Sequence, residues 1–174
     1  MVLAAYVFQT DLGWVGVSGT VQGLKQLVLP QPSVTEVSKR LGVDFKPEAV
    51  IPDLLIDTVN RLKLYFNGYR TEFPETLDLS AYTDFQRRVW EVTRLIPYGK
   101  TRSYSWVAEK TGNRNAVRAV GQALGANPLP IIIPCHRVLT KEGGIGGYSA
   151  GVELKRYLLW REASAFMRDR TPLI

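Results

Sequence analysis

The chain has 174 residues, 45% hydrophobic and 22% charged, with a formal net charge of +6. That composition suits one ordinary globular domain or two small ones, and no apolar run approaches the roughly 20 residues of a membrane-spanning helix. A single cysteine excludes an intramolecular disulfide, and one Cys beside one His falls short of the roughly four ligands of a tetrahedral zinc site, so no structural metal is expected.

Charge is uneven along the chain. Residues 1–80 carry seven Lys and Arg against nine Asp and Glu, whereas residues 81–174 carry fifteen against seven. The basic half favours a polyanionic partner, since each cation placed near a phosphate releases condensed counterions. The division also suggests two domains, 1–80 and 81–174.

The apolar start, residues 1–8, lacks the positive flank and cleavage-like site of a signal peptide and reads as a strand, which makes an intracellular location the expectation. Asp11-Leu12-Gly13 predicts a hairpin turn into a second strand, and residues 24–29 alternate like a third that Pro30 and Pro32 stop. Ser33-Val34-Thr35-Glu36 has the form of a capping box for a helix ended by Gly42. Asp53 is the expected cap of a second helix with Leu55, Val59, Leu62 and Phe66 on one stripe, finishing at Gly68. Nothing in this half suggests chemistry, so it reads as scaffold.

A polar stretch, residues 78–82, is the expected linker. Thr83 and Gln86 form a second capping-box pattern, opening a helix through Val89, Val92 and Leu95 that Ile96-Pro97-Tyr98-Gly99 breaks. A short helix over residues 103–110, a turn at Thr111-Gly112-Asn113 and a second helix over 115–126 read as a helix-turn-helix, with Ala108 and Gly112 allowing close approach. Val117, Val120 and Leu124 are its apolar stripe. Arg114, Arg118, Gly121 and Gly125 make another stripe, with cations followed by bare backbone, able to approach a duplex.

Ile131-Ile132-Ile133 predicts a short buried strand ending at Pro134-Cys135-His136-Arg137-Val138. Neighbouring positive charge and a base lower a thiol pKa, which makes Cys135 the candidate nucleophile. Adjacent side chains of an extended segment point apart, so His136 need not touch the sulfur. Spacing alone does not identify the group that orients the imidazole. The glycine-rich run from Gly143 to Gly151 lacks the third glycine of a dinucleotide fingerprint and any Gly-Lys-Ser/Thr. It reads instead as a pocket-lining loop, followed by a closing helix over 153–162 that packs through Leu154, Leu158 and Trp160. These residues alone leave three other readings open: a regulatory DNA-binding protein, a cysteine hydrolase, and a lesion sensor that performs no chemistry.

Several segments, in order, give the chain a specific likeness: Ser103-Tyr104, Ala116-Val117-Arg118-Ala119-Val120-Gly121, Asn127-Pro128 running into Pro134-Cys135-His136-Arg137-Val138, and Gly147-Tyr148-Ser149-Ala150-Gly151 with Lys155 and Leu158-Leu159. On these, roughly residues 83–162, the chain resembles the O6-alkylguanine-DNA alkyltransferases. The resemblance implies an α+β protein: an N-terminal α/β domain of ribonuclease-H-like plan and a mostly helical C-terminal domain with a winged-helix-like helix-turn-helix. It implies DNA repair by irreversible, one-for-one transfer of an alkyl group from flipped-out O6-alkylguanine to Cys135, with O4-alkylthymine a further candidate lesion. By the same resemblance His136 takes the thiol proton through water, Glu162 holds His136, Tyr104 donates to the guanine ring and Asn127 braces the active-site turn. Arg118 fills the gap left by the flipped nucleotide, with Arg114, Ala119, Gly121, Gly125 and Tyr104 as the DNA-facing set. Pro130, Val138, Tyr148 and Ser149 form the substrate pocket. No cofactor is implied. The partner is double-stranded DNA carrying the lesion, with no membrane partner, and the protein is expected to be a monomer in solution, with cooperative binding on DNA left open. Its expected place is the cytoplasm with the nucleoid, or the nucleus in a eukaryote.

Overall fold

The structure is a computed structural model and describes residues 4–45 and 50–168. The chain divides into two compact units, Met1–Ala81 and Tyr82–Ile174.

The first unit is built on an antiparallel sheet of order β1-β2-β3: β1 Ala4–Thr10, β2 Gly13–Thr20 and β3 Gly23–Gln31. Residues 1–3 of the expected first strand lie outside the described residues. In the hairpin turn the Thr10 hydroxyl donates to the Gly13 carbonyl at 2.8 Å. Gly13, at φ +125°, is required twice over, because a Cβ there would also lie 2.6 Å from the Gln31 carbonyl oxygen. Pro30 does not stop the third strand, which runs on to Gln31 with a register shift opposite Trp14 and Gly16. A proline is tolerated there because β3 lies on the edge of this sheet and a bulge needs no ladder donor.

Helix α1, Val34–Leu41, is capped by Ser33, whose hydroxyl accepts from the Glu36 N–H, and ends at left-handed Gly42. Glu36 pairs with Arg40 at 3.0 Å. Val37 and Leu41 pack on Val7 and Val28 of the sheet to form a core. Asp53 does not cap the next helix: a 3-10 turn over Asp53–Leu55 precedes α2, Ile56–Phe66, with no side-chain cap bond. The expected stripe of Leu55, Val59, Leu62 and Phe66 is buried. Asp78 is not free linker either. Its carboxylate accepts from Thr20 at 2.8 Å and its N–H donates to the Leu24 carbonyl at 2.7 Å, which ties it to the sheet.

The second unit is mostly helical. Helix α3, Asp84–Arg94, opens with the full reciprocal capping box of Thr83 and Gln86. Its core residues are Val89 and Trp90, and the Trp90 indole N–H donates to the Ala123 carbonyl at 2.9 Å. Leu95, placed on the buried stripe by periodicity, is instead 69% exposed, because the helix has already ended there. Helix α4, Tyr104–Lys110, is capped by Ser103, and a turn with Gly112 at φ +92° leads to α5, Val117–Gly125. Both α3 and α4 pack against α5. The buried stripe of α5 is Val120, Ala123 and Leu124, whereas Val117, in the first turn, is exposed. Arg114 precedes α5 rather than lying on it and pairs with Glu109 of α4.

Two short strands, β4 Arg102–Ser103 and β5 Val138–Leu139, pair in parallel. Helix α6, Val152–Arg168, is longer than expected; Leu158 is buried, Leu154 half-buried, and Trp160 is exposed rather than packed. No helix among the described residues is long and apolar enough to cross a membrane.

Candidate active site

The three isoleucines do not form a strand. Pro130 and Pro134 remove two ladder donors from a five-residue run. The chain turns instead, with Ile131 in the left-handed region at φ 74° and a bridge between Pro130 and Ile133. All three isoleucines are buried and anchor the turn. Pro134, at φ −79° and ψ 62°, makes an inverse γ-turn in which the Cys135 N–H donates to the Ile133 carbonyl at 2.7 Å. A 3-10 turn over Cys135–Arg137 follows and leads into β5.

Asn127 holds this turn together. Its Oδ1 accepts from the Leu129 N–H at 2.9 Å, and its Nδ2 donates both to the Ile133 carbonyl at 2.9 Å and to Cys135 Sγ at 3.1 Å. The sulfur faces a cavity of about 360 Å³ lined by Tyr104, Gly121, Leu124, Gly125, Cys135, Gly147, Tyr148 and Ser149. Concave, largely apolar walls with a few convergent polar groups are the usual form of a small-ligand site. Two elements supply much of the lining: α5, with its bare glycines, and the 147–149 loop. A Cβ added at Gly121 or Gly125 would meet nothing within 4 Å, so their lack of side chains leaves the cavity open.

The electrostatics correct one expectation. Burial pushes the Cys135 thiol up, against the opposing pull of the Asn127 hydrogen bond and the Lys155 charge. Neighbouring charge does not win, because the sulfur is almost wholly desolvated. The resting sulfur is therefore a protonated thiol that has to be deprotonated for reaction.

His136 and Arg137, the next two residues, turn inward onto α6. His136 Nε2 lies 2.6 Å from Glu162 Oε1, and Arg137 grips the same carboxylate through Nε at 2.9 Å and Nη2 at 3.0 Å. All three side chains are buried. Burial works against the Glu162 charge, but His136 and Arg137 outweigh it and hold the carboxyl well below the usual carboxylate range. Burial lowers the His136 pKa against the pull of Glu162, which leaves a neutral imidazole donating from Nε2.

Lys155 lies in the first turns of α6. Fully buried, its ammonium donates to the carbonyls of Val138 at 2.7 Å and Gly147 at 3.2 Å and lies 3.5 Å from the Tyr104 hydroxyl. Burial lowers its pKa to about 8. It thus ties the wall at Gly147 to β5. Tyr104, half-buried, has its phenol pKa raised by burial and then by Cys135. The Tyr148 phenol is raised well above its ordinary value by burial and the same sulfur. Gly146 combines φ +67° with a Tyr104 hydroxyl 3.0 Å from where a Cβ would stand, so a side chain there would be strained and would crowd the tyrosine.

The structure thus gathers Cys135, His136, Glu162, Tyr104, Asn127, Tyr148 and Ser149 around one centre, with Gly121 and Gly125 on its α5 side. Arg118 is exposed and Ala119 half-buried on α5, while Arg114 lies off that helix. Pro130 and Val138 are not among the cavity's lining residues; Val138 is buried and contributes its carbonyl to Lys155. Arg137, expected from its adjacency to act on the thiol, turns away onto Glu162 instead. Lys155 belongs to the motif that carries the family resemblance, and its burial has no signature in the sequence. Among the described residues no group of three or more His, Cys, Asp or Glu is placed to hold a metal ion.

Residues 84–164 match the family model of the 6-O-methylguanine DNA methyltransferase, DNA binding domain. A methylated-DNA–protein-cysteine methyltransferase of Mycobacterium tuberculosis is 48% identical over 120 residues, 69% of this chain and 72% of that protein. One from Methanosarcina acetivorans is 34% identical over 160 residues, 91% of this chain and 97% of its own length. The crystal structure of Mycobacterium tuberculosis OGT in complex with DNA superposes with a TM-score of 0.77 at 38% identity, covering 92% of this chain and 93% of that one. The chain belongs to the methylated-DNA–protein-cysteine methyltransferase family.

Proposed function

We propose that this protein repairs O6-methylguanine in DNA by transferring the alkyl group to its own Cys135. One observation carries the reading: the buried Cys135 sulfur shares a cavity with Gly121 and Gly125 of α5, the helix that carries Arg118. A base bound there has to leave the stack, since O6 within a duplex is out of reach of the sulfur. In the helix-turn-helix formed by α4 and α5, Arg118 fills the space that the extruded nucleotide leaves. The first unit, residues 1–80 with a ribonuclease-H-like plan, serves as scaffold to the 81–174 domain.

The chemistry is a direct displacement. His136 takes the thiol proton through a water, and Glu162 stabilises the imidazolium that forms. Sulfur attacks the alkyl carbon, the carbon–O6 bond breaks, and its electron pair stays on the guanine oxygen. Tyr104 donates a hydrogen bond to the ring, dispersing that charge, and guanine then takes up a proton as it leaves. Asn127 keeps the sulfur aimed, and the tyrosine and serine of the 147–149 loop bound the base. The product is a thioether with no means of regeneration, so each molecule acts once.

The test is stoichiometric. Methylated duplex in excess is incubated with the protein, digested to nucleosides, and the remaining O6-methylguanine is counted. Loss should stop at one lesion per protein molecule. Continued turnover, or no loss, would refute the proposal.

A further inference from the structure

The Glu162 carboxylate receives more than the imidazole requires. Holding one ring N–H would take one oxygen, yet four donors converge on it: His136 Nε2 at 2.6 Å, Arg137 Nε at 2.9 Å and Nη2 at 3.0 Å, and the Gly99 N–H at 3.1 Å. Arg137 is itself held from its far side. Its Nη1 donates to the Ile96 carbonyl at 2.7 Å, and its guanidinium lies 5.5 Å from the centre of the Tyr98 ring. Ile96 and Tyr98 are buried, so the fork stays aimed at Glu162.

This arrangement has an electrostatic consequence. A carboxylate hydrogen-bonded to the imidazole favours the imidazolium, against the burial that disfavours it. A histidine already charged at rest could not accept the thiol proton. A full guanidinium on the same carboxylate cancels much of that field, while leaving both oxygens as acceptors and the ring in place. The charged groups acting on His136 include Glu162 and Lys155 from α6 and Arg137 from its own turn. Burial acts most strongly against the imidazolium, Glu162 favours it, and Arg137, the cation that grips Glu162 directly, adds to the effect of burial.

We infer that Arg137 is a positioning residue for the transfer: by sharing Glu162 with His136 it fixes the ring orientation while keeping the imidazole uncharged and able to accept the proton of Cys135. The inference rests on the alkyl-transfer reading for its purpose, but not for its measurement.

The chain contains one histidine, so a single imidazole signal reports the effect in the free protein. The full chain is labelled with nitrogen-15 and titrated by NMR as wild type, Arg137→Lys and Arg137→Met. Wild type should show a neutral ring protonated at Nε2 at neutral pH, with a midpoint below the ordinary histidine value of about 6.5. Arg137→Met should raise that midpoint by about 1–3 units, and Arg137→Lys, which keeps the charge but loses the fork, by less. If the methionine variant does not fold, the lysine variant against wild type decides alone. The acid limb of the methyl-transfer rate should move with the midpoint, and raising the pH should restore the lysine variant toward the wild-type rate. A wild-type imidazole already charged at neutral pH, or a midpoint unmoved in the folded variant, overturns the inference even if methyl transfer proceeds normally. A shifted midpoint in a wild type that transfers no methyl group overturns the alkyl-transfer reading, while leaving the sharing of Glu162 established.

Discussion

The side-chain amide of Asn127 bridges the reacting sulfur and the backbone that carries it, donating to Cys135 Sγ at 3.1 Å and to the Ile133 carbonyl at 2.9 Å. The left-handed Ile131 and the γ-turn at Pro134 lie between Asn127 and Cys135 in sequence. The hydrogen bonds therefore close a loop that has few other backbone bonds to hold its shape.

Asn127→Ala removes both. Leaving a buried carbonyl unpaired should lower stability by about 1–3 kcal/mol. Losing a preorganised donor to the sulfur should slow methyl transfer at neutral pH by roughly 100-fold. Thermal melting and single-turnover kinetics measure the two effects; a variant that melts lower but reacts at the wild-type rate would show that Asn127 serves the fold alone.

The pH dependence of the reaction follows from the thiol. Burial raises its pKa, so the reactive thiolate is scarce at neutral pH and becomes more abundant as pH rises. The transfer rate should climb through and beyond the ordinary thiol value of about 8.5. A rate that does not rise above neutral pH would show that ionisation of the buried thiol does not limit the transfer.

Lys155 contributes a separate dependence, in stability. Its folded-state pKa is depressed to about 8 from 10.5, so the unfolded chain binds more protons between these values. Stability from this group therefore rises as pH increases from about 8 towards 10.5, and is lowest below that window, where the buried ammonium is fully charged. Denaturant midpoints of wild type and Lys155→Met should diverge in favour of wild type across that range. Parallel curves would contradict the buried charge.

Gly121 separates stability from function. It sits in the interior of α5, and a Cβ there meets no atom within 4 Å. Gly121→Ala should stabilise the helix by about 0.5–1 kcal/mol. The added methyl group stands at the cavity that receives the base, so transfer from duplex DNA should slow. Faster or unchanged transfer would place the base elsewhere.

Arg118, on α5, and Arg114, before it, offer a contrast. Arg118→Ala should slow reaction with a methylated duplex roughly tenfold or more, the scale of a DNA-reading arginine, while reaction with a free benzylguanine-type base changes little. Arg114 lies before α5 and pairs with Glu109, so its loss should cost less. Equal losses on duplex and free base for Arg118→Ala would remove it from the gap left by the flipped nucleotide.

Where sequence and structure agree, the determinants are local. The Thr83–Gln86 box, the Gly42 and Gly112 corners and the hairpin at Gly13 each need only a few adjacent residues, and each is found as read. The isoleucine run misled because β-branched residues favour strands, whereas the flanking prolines and the Asn127 amide impose a turn. Trp160 and Val117 show the limit of periodicity, which assigns a face but not what covers it. The burial of Arg137 and Lys155 is not legible because charged residues are seldom buried without partners, and theirs come from other segments. Glu162 stands 26 residues beyond His136 and was reached only through the family resemblance. The thiol's direction of shift depended on the depth of burial, which spacing does not encode.

The most direct measurement is the intact mass of the protein after reaction with a duplex bearing one O6-methylguanine, followed by peptide mapping, with Cys135→Ala alongside. Wild type should gain the mass of one methylene unit, located on the peptide containing Cys135, and the variant should gain none. An unchanged wild-type mass with the duplex still bound, or a methyl group found on any other residue, would contradict alkyl transfer to Cys135.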